Sequence, residues 1–557
     1  MKSLQFFSNF NLELLTRFVS IKNSETFEVI NNSMSSLNNH IKEEFNHEAN
    51  EAELAFIWFS PESISPAFQQ ALNGENYSSE KIFEEFENFF KIIFHLRKSF
   101  KSLAIPLFHQ FSFDRNYGIL DLRNNLGIKN ILLKLNSRMI DTFEKDEDIF
   151  ILDPYSWITS DSFSPKMWYS AKVPFTNDVF KTIAADIDSL LNAKEGKTKK
   201  LVVLDLDNTL WGGEVGDDGW ENLRLGGHDH LGEAFVEFQK KILNISKKGI
   251  LLSICSKNTE SIALEAISKH PEMILGIDDF SSYRINWNDK AANIKSICEE
   301  LNIGTQSVVF IDDNINERER VKSALPDIFV PDLPKDPRMY SSFFTSLREF
   351  DSYSFTDEDR NRKLMYQQRK AKKEDLQKKT EMLSLDEWLM SLEIEVKVES
   401  LNEINLTRTS QLLNKTNQMN LTTRRMTKEE LRSWVDAEDN YLWTFRTSDK
   451  FGDSGLTGIA SFILEKDEAT IIDFVLSCRI MGKEIENSML FFIIKFLRDK
   501  GVNRLKAKLI PTEKNKPCLD FFSQSQLEMR EENEFYFDLV HDFEKPKPVK
   551  VIFLENE

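Results

Sequence analysis

The sequence has little cysteine, no long apolar run and a shortage of positive charge. Its four cysteines, Cys255, Cys298, Cys478 and Cys518, are scattered over 557 residues, and no two form a CxxC pair. That spacing excludes a disulfide framework and a structural zinc site of the common type. Reduced thiols fit a cytoplasmic enzyme better. No apolar run approaches the ~20 residues that span a bilayer, so no membrane association is expected. The N-terminal MKSLQFFSNFNLELL carries one lysine, and Ser, Asn and Glu break its apolar stretch. It lacks the uninterrupted core of a signal peptide. No internal repeat is visible. Lys and Arg total 71 against 90 Asp and Glu, a net charge of −19. Such a field repels nucleic acid unless a local basic patch overrides it, so no nucleic-acid partner is expected.

What is present is ordinary core material in a chain too long for one core. Apolar residues make up 41%, charged residues 29%, and 45 Phe stand against 10 Tyr. A polar basic stretch, NAKEGKTKK, runs from Asn192 to Lys200, and a charge-dense stretch of helical character runs from Asp357 to Lys379. These shifts divide the chain into 1–192, 199–350, a charged helical linker over 351–382, and 383–557. In the first part, ELAFIWFS and DIFILDP read as buried strands alternating with helices, an α/β pattern. In the middle part, LVVLDLD, GILLSICS and SVVFIDD read as three parallel strands that end in acidic or hydroxyl residues. Parallel sheets place ligands at strand carboxyl ends, so the three polar ends converge on one edge. In the last part, LEIEVKVES, LWTFRTSD, GIASFILEK and ATIIDFVLSCRI alternate, as in an antiparallel-rich α+β domain.

The chemistry concentrates in the middle part. Asp205-Leu206-Asp207-Asn208-Thr209 is a DxDxT signature at a strand end. Residues two apart on a strand point to the same side. One carboxylate can attack phosphorus, and the other can serve as acid and base. Ser256 can donate to a phosphoryl oxygen, and Lys290 can neutralise phosphoryl charge. Asp312 and Asp313, with Asp205 and Asp207, supply hard oxygen ligands for Mg²⁺. In this order after strands, the set resembles the four-part constellation of haloacid-dehalogenase (HAD) phosphatases. The inserts between these elements are too short for a full cap domain.

The stretch LDLDNTLWGGEVGDDGWENLRLG resembles the FkbH-like family of HAD proteins. ICSKN around Cys255, FIDDNINERERV, NKTNQMNLTTRR, FGDSGLTGIA and SCRIMGKEIE resemble it too. The resemblance implies a central HAD Rossmann-like domain without a large cap. An SGNH-hydrolase-like α/β domain would precede it, and an N-acetyltransferase (GNAT)-like α+β domain would follow it. It further implies a glyceryl transferase/phosphatase. Such an enzyme takes a D-glyceryl unit from 1,3-bisphosphoglycerate, removes its phosphate and loads it on the phosphopantetheine arm of an acyl carrier protein in polyketide or related biosynthesis.

That chemistry calls for a thiol, and Cys255 adjoins Ser256. Two readings stay open for it. It is either a nucleophile whose thiolate Lys290 and the metal favour, or buried packing. Adjacent strand residues point to opposite faces, so the first reading needs a bend in the chain. In the last domain, Arg479, Gly482 and Lys483 keep a pyrophosphate-binding turn, with Glu484 in place of its final small residue. The turn is expected to hold the phosphopantetheine arm. Asn417, Asn420, Arg424 and Arg425 are either further contacts or plain surface residues. In the first domain, Ser8-Asn9 stands where a nucleophile belongs, but Asp153-Pro154-Tyr155-Ser156 replaces the expected D-x-x-H, as in a degenerate module. His228, Asp229 and His230 read as a polar flap rather than a metal site. The competing functions are a simple Mg²⁺-dependent HAD phosphatase acting on a phosphorylated sugar or metabolite in polysaccharide synthesis, and a carrier-protein-binding scaffold.

Overall fold

The computed structural model describes residues 2–23, 26–33, 52–111, 116–124, 126–354, 389–450, 452–477, 480–512 and 514–554. The charged linker expected over 351–382 therefore lies almost wholly outside the described residues, as do Cys478 and Arg479. The chain forms two compact units, Met1–Leu191 and Asn192–Glu557.

The first unit is built on a five-stranded parallel sheet. Its strands are β1 (Lys2–Ser8), β2 (Phe27–Ser33), β3 (Ala52–Trp58), β4 (Leu103–Pro106) and β5 (Ile149–Leu152), in the order β2-β1-β3-β4-β5. This is a doubly wound order with its switch point between β1 and β3. Phe-rich helices cover both faces. Ser79–Leu96 and Ile128–Phe143 pack one face, and Glu13–Asn23 and Asn177–Lys194 pack the other. The abundant phenylalanine fills these layers.

The second unit carries two sheets. The first has β6 (Leu201–Leu204), β7 (Leu251–Ser256), β8 (Ser282–Ile285) and β9 (Val308–Ile311) in the parallel order β8-β7-β6-β9. The sequence reading named three of these strands. The fourth, β8, is the short, half-polar SYRI at the sheet edge, paired on one side only, and has little apolar signal. Strand alternation splits β6 cleanly. Val202 and Leu204 pack under the helices His230–Ser246 and Glu260–Lys269. Leu201 and Val203 pack under Lys290–Leu301 and Ile315–Ala324. Between β6 and β7 the described residues add the short helix Val215–Asp218, a turn and the helix His230–Ser246, and between β7 and β8 the helix Glu260–Lys269 and a short turn. No capping domain is inserted there.

The second sheet has β10 (Ile394–Ser400), β11 (Asn440–Asp449), β12 (Gly452–Glu465), β13 (Glu468–Leu476), β14 (Arg504–Lys508), β15 (Glu528–Glu531), β16 (Glu534–Asp538) and β17 (Val549–Phe553). Their order is β15-β16-β14-β13-β12-β11-β10-β17. Only β10·β17 and β13·β14 are parallel pairs. This is the antiparallel-rich α+β arrangement that the alternating pattern implies. No helix among the described residues is long and apolar enough to cross a membrane.

One buried polar side chain ties the site loop to its sheet. Gln239 is fully buried on the helix His230–Ser246. Its Nε2 donates to the Leu210 carbonyl at 2.8 Å, and its Oε1 accepts from the Ile274 and Leu275 N–H groups at 2.9 and 3.1 Å. Gln239→Leu removes all three partners, and each orphaned buried group costs about 1–3 kcal/mol. We expect a clear fall in the unfolding midpoint by urea or heat. An unchanged midpoint for Gln239→Leu contradicts the assignment.

Candidate active site

Asp205 is the first residue past β6, and its N–H donates to the Ile311 carbonyl at 3.0 Å, which holds the strand end against β9. The chain then turns sharply. Thr209 and Leu210 both donate back to the Leu206 carbonyl, and Asn208 adopts a left-handed backbone (φ 55°). Asn tolerates that conformation better than most residues. Its side chain accepts from the Gly213 N–H at 3.0 Å, which fixes the following loop.

At this edge the structure brings four of the sequence-derived residues together. Lys290, at the start of its helix, is 3% exposed. Its Nζ lies 2.6 Å from Asp312 Oδ2 and 3.0 Å from Asp205 Oδ1. The contact with Asp205 is an ion pair off hydrogen-bond geometry, and Asp205 Oδ1 is buried with no hydrogen-bond donor. Burial opposes the lysine's charge, but Asp205 and Asp312 hold the ammonium above its ordinary value. Burial, then the nearby Asp205 charge, push Asp312 up to about 7 and Asp313 up to about 6. The ligand atoms of Asp205, Asp312 and Asp313 all lie within 4.8 Å of one another. Three carboxylates around one lysine leave uncompensated negative charge. A hard divalent cation with oxygen ligands suits that donor set.

Asp207 stands apart from this cluster, a correction to its expected place as a carboxylate ligand. Its Oδ1 accepts from Trp211 Nε1 at 2.8 Å and the Val215 N–H at 3.0 Å, and its Oδ2 accepts from Asn258 Nδ2 at 2.7 Å. Three donors occupy three of its roughly four acceptor sites and aim it. Burial raises its pKa, against the pull of those donors, with Asp205 adding to the rise. That environment suits a proton donor.

Ser256 ends β7 and is buried. Cys255 does not share its side. It is fully buried in the cluster with Leu251, Ala291 and Ile294, and its Sγ points to the Lys290 carbonyl at 3.7 Å. Burial pushes its thiol up to about 12, more than Lys290 lowers it. Burial in this geometry disfavours the thiolate, so the packing reading of Cys255 has the geometry on its side. The strand has no bend, so alternation decides the face.

Four supporting residues carry no role in the sequence reading. Trp211 and Asn258 hold Asp207. Thr209 Oγ1 accepts from the Asp313 N–H at 3.2 Å. The buried Arg318 donates to the Asp312 and Asp313 carbonyls at 2.8 Å each. All four lie inside the quoted motifs, but only the fold shows what they touch.

Outside this site the expectations fare differently. The Gly482 N–H is taken by Glu486 Oε1 at 2.9 Å, and Lys483 Nζ lies 3.3 Å from Asp449 Oδ2. The turn expected to hold the phosphopantetheine arm thus has one N–H taken by the chain's own carboxylate, and Arg479 lies outside the described residues. Asn420 and Arg425 bind backbone carbonyls of their own motif. Arg424 pairs with the buried Asp473. Asn417 donates to the Gly196 carbonyl at 3.1 Å. These are structural contacts. Ser8 Oγ is bonded to the Phe10 N–H and carbonyl, and Asp153 caps a turn through the Tyr155 N–H. Asp229 caps the helix His230–Ser246 and pairs with Arg224 at 2.6 Å, so the His228–His230 segment forms no metal cluster among the described residues.

No protein-family model and no curated protein matches the chain. Among solved structures, the chain is similar to the N-terminal part of the protein BF1531 from Bacteroides fragilis, described as containing a phosphatase domain complexed with Mg. The match has 26% identity and a TM-score of 0.57, and covers 64% of this chain and 95% of that one. The ribosomal-protein-S18-alanine N-acetyltransferase of Escherichia coli matches with 12% identity and a TM-score of 0.20, covering 25% of this chain and 89% of that one. A GNAT-family acetyltransferase of Staphylococcus aureus matches with 11% identity and a TM-score of 0.21, covering 26% and 99%. The two acetyltransferase scores carry no argument about this chain.

Metal ligation needs ionised carboxylates, so protons compete with the cation. With Asp312 near 7 and Asp313 near 6 in the metal-free chain, Mg²⁺ affinity is expected to rise as pH rises from about 5 to 8. Calorimetric titration in that range is expected to show proton release on binding. A pH-independent affinity contradicts this arrangement.

Proposed function

We propose that the chain is a Mg²⁺-dependent HAD-type phosphatase acting through a phospho-aspartate on Asp205. The observation that carries this reading is the buried Asp205–Lys290–Asp312 network with Asp313 beside it. The Mg²⁺ held in the solved BF1531 relative supports the choice of metal. Asp205, Asp312 and Asp313 would hold the ion, which supplies Lewis-acid stabilisation of phosphoryl charge. Asp205 attacks phosphorus, the bond to the leaving oxygen breaks, and Asp207 gives that oxygen its proton. Water then attacks the phospho-aspartate, Asp207 takes the water proton, and Asp205 is released. Lys290 neutralises Asp205 and the phosphoryl group, and Ser256 donates to a phosphoryl oxygen. The absence of a cap insert suits a phosphoryl group carried on something large.

Within that class, the motif resemblance favours a glyceryl transferase/phosphatase using 1,3-bisphosphoglycerate and an acyl carrier protein. The buried Cys255 argues for direct attack by the carrier thiol on the acyl phosphate, with phosphate leaving. The HAD site then removes the remaining phosphate. The self-filled Gly482 turn gives no support to pyrophosphate binding there. The simple phosphatase is the second reading, and the closed state of Cys255 favours it. The test incubates the full chain with Mg²⁺, 1,3-bisphosphoglycerate and holo-carrier protein, followed by intact mass. A glyceryl-loaded carrier is expected from wild type and from Cys255→Ala. Asp205→Asn is expected to lose release of the second, ester-bound phosphate by about 10³-fold or more, leaving a phosphoglyceryl group on the carrier. Phosphate release without a loaded carrier leaves the simple phosphatase. Loss of loading in Cys255→Ala, with phosphate release kept, restores an acyl-cysteine step.

A further inference from the structure

The second unit holds a cavity of ≈ 640 Å³ that the reaction above does not use. Lys199 and Lys200 line it just before β6, Lys248 just before β7, and Lys241 from within the helix His230–Ser246. Lys415, the last residue of the helix Leu406–Lys415, joins them. The acid cluster follows the opposite, carboxyl ends of the same strands. At ~3.3 Å per residue, Lys200 and Asp205 are roughly 16 Å apart along the chain. The cavity is therefore a separate place.

Five lysines share this lining with one carboxylate residue, Asp351. In a chain of net charge −19, that is a local reversal of sign. Near Lys199 lie the carboxylates of Glu349 and Asp327 and the ammonium of Lys514. Lys199 Nζ donates to the neutral Gln306 carbonyl at 2.7 Å, and Lys415 Nζ donates to the Ser354 carbonyl at 3.2 Å. Lys241 pairs with Glu237 at 2.9 Å, an exposed pair of little strength. Among the described residues Lys248 makes no ion pair. Ammonium groups crowded into one cavity repel unless an anion joins them. The lining also includes the apolar Phe344, Leu347 and Phe350, which offer a surface for a carbon skeleton.

We propose that this cavity binds a small organic polyanion carrying at least two phosphate groups. The volume falls within the range of small-molecule pockets. Lysines act as point charges on phosphate, without the fixed fork of arginine, so they suit several phosphate oxygens in a wet site. The site stands independently of the phosphatase reading, because it needs neither the metal nor Asp205.

The test is calorimetric titration of the full, EDTA-treated chain with inorganic pyrophosphate. Without metal, the acid cluster repels the probe. Saturable binding is expected, at least tenfold tighter than for inorganic phosphate and weakened by salt. Lys241→Glu/Lys248→Glu is expected to weaken it tenfold or more while Mg²⁺-dependent phosphatase activity persists. Lys248→Gln alone gives a milder check should the double variant misfold. Asp205→Asn is expected to bind as wild type does. No saturable binding, equal affinity for the two probes, unchanged affinity in the lysine variants, or loss in Asp205→Asn would each overturn the proposal.

Discussion

The site depends on one buried cation. Lys290 sits almost without solvent between Asp205 and Asp312 and joins three elements, the end of β6, the end of β9 and the first turn of its own helix. An isolated buried ammonium loses its charge, and isolated buried carboxylates become protonated. Here Asp205 and Asp312 keep the lysine charged, and Lys290 lowers Asp312 against the larger effect of burial. Removing one member of such a set leaves buried charge uncompensated, at a cost of about 3–5 kcal/mol. The lysine alone does not balance the carboxylates around it. The remaining charge is what a divalent cation would answer, and the three carboxylates could hold one.

The same sheet is polarised from end to end. Its carboxyl edge collects Asp205, Asp312 and Asp313, and its amino edge collects Lys199, Lys200 and Lys248. Parallel strands make this separation possible, because every strand starts on one edge and finishes on the other. Surrounding residues set the role of each carboxylate. Asp205 keeps an oxygen free of hydrogen-bond donors, whereas Asp207 is held by Trp211, Asn258 and the Val215 N–H. Two aspartates two residues apart thereby acquire different tasks.

Much of this was legible before the fold. Asp205, Ser256, Lys290 and Asp312 each follow or open a regular element, so an alternation of apolar strand and helix is enough to gather them. The strand runs LVVL, LLSICS and VVFI are nearly continuous apolar stretches, as doubly covered strands are. What escaped depends on tertiary detail. The side of β7 on which Cys255 lies follows from register rather than from its neighbour in sequence. The capture of the Gly482 N–H by Glu486 depends on where the next helix begins. Arg318 reads as one charge among many in NINERERV, and only the fold shows it turned inward onto the Asp312 and Asp313 carbonyls. The half-polar edge strand β8 has no strong pattern to read.

The central claim is that Asp205 becomes covalently phosphorylated. It is tested most directly by acid-quenching the Asp207→Asn chain during turnover of a phosphorylated substrate with Mg²⁺, then mapping mass on its peptides. The expected result is one phosphoryl group on the peptide containing Asp205, absent when Asp205→Asn is added. Substrate turnover with no phosphoryl group on that peptide, or with the group on another residue, would contradict it.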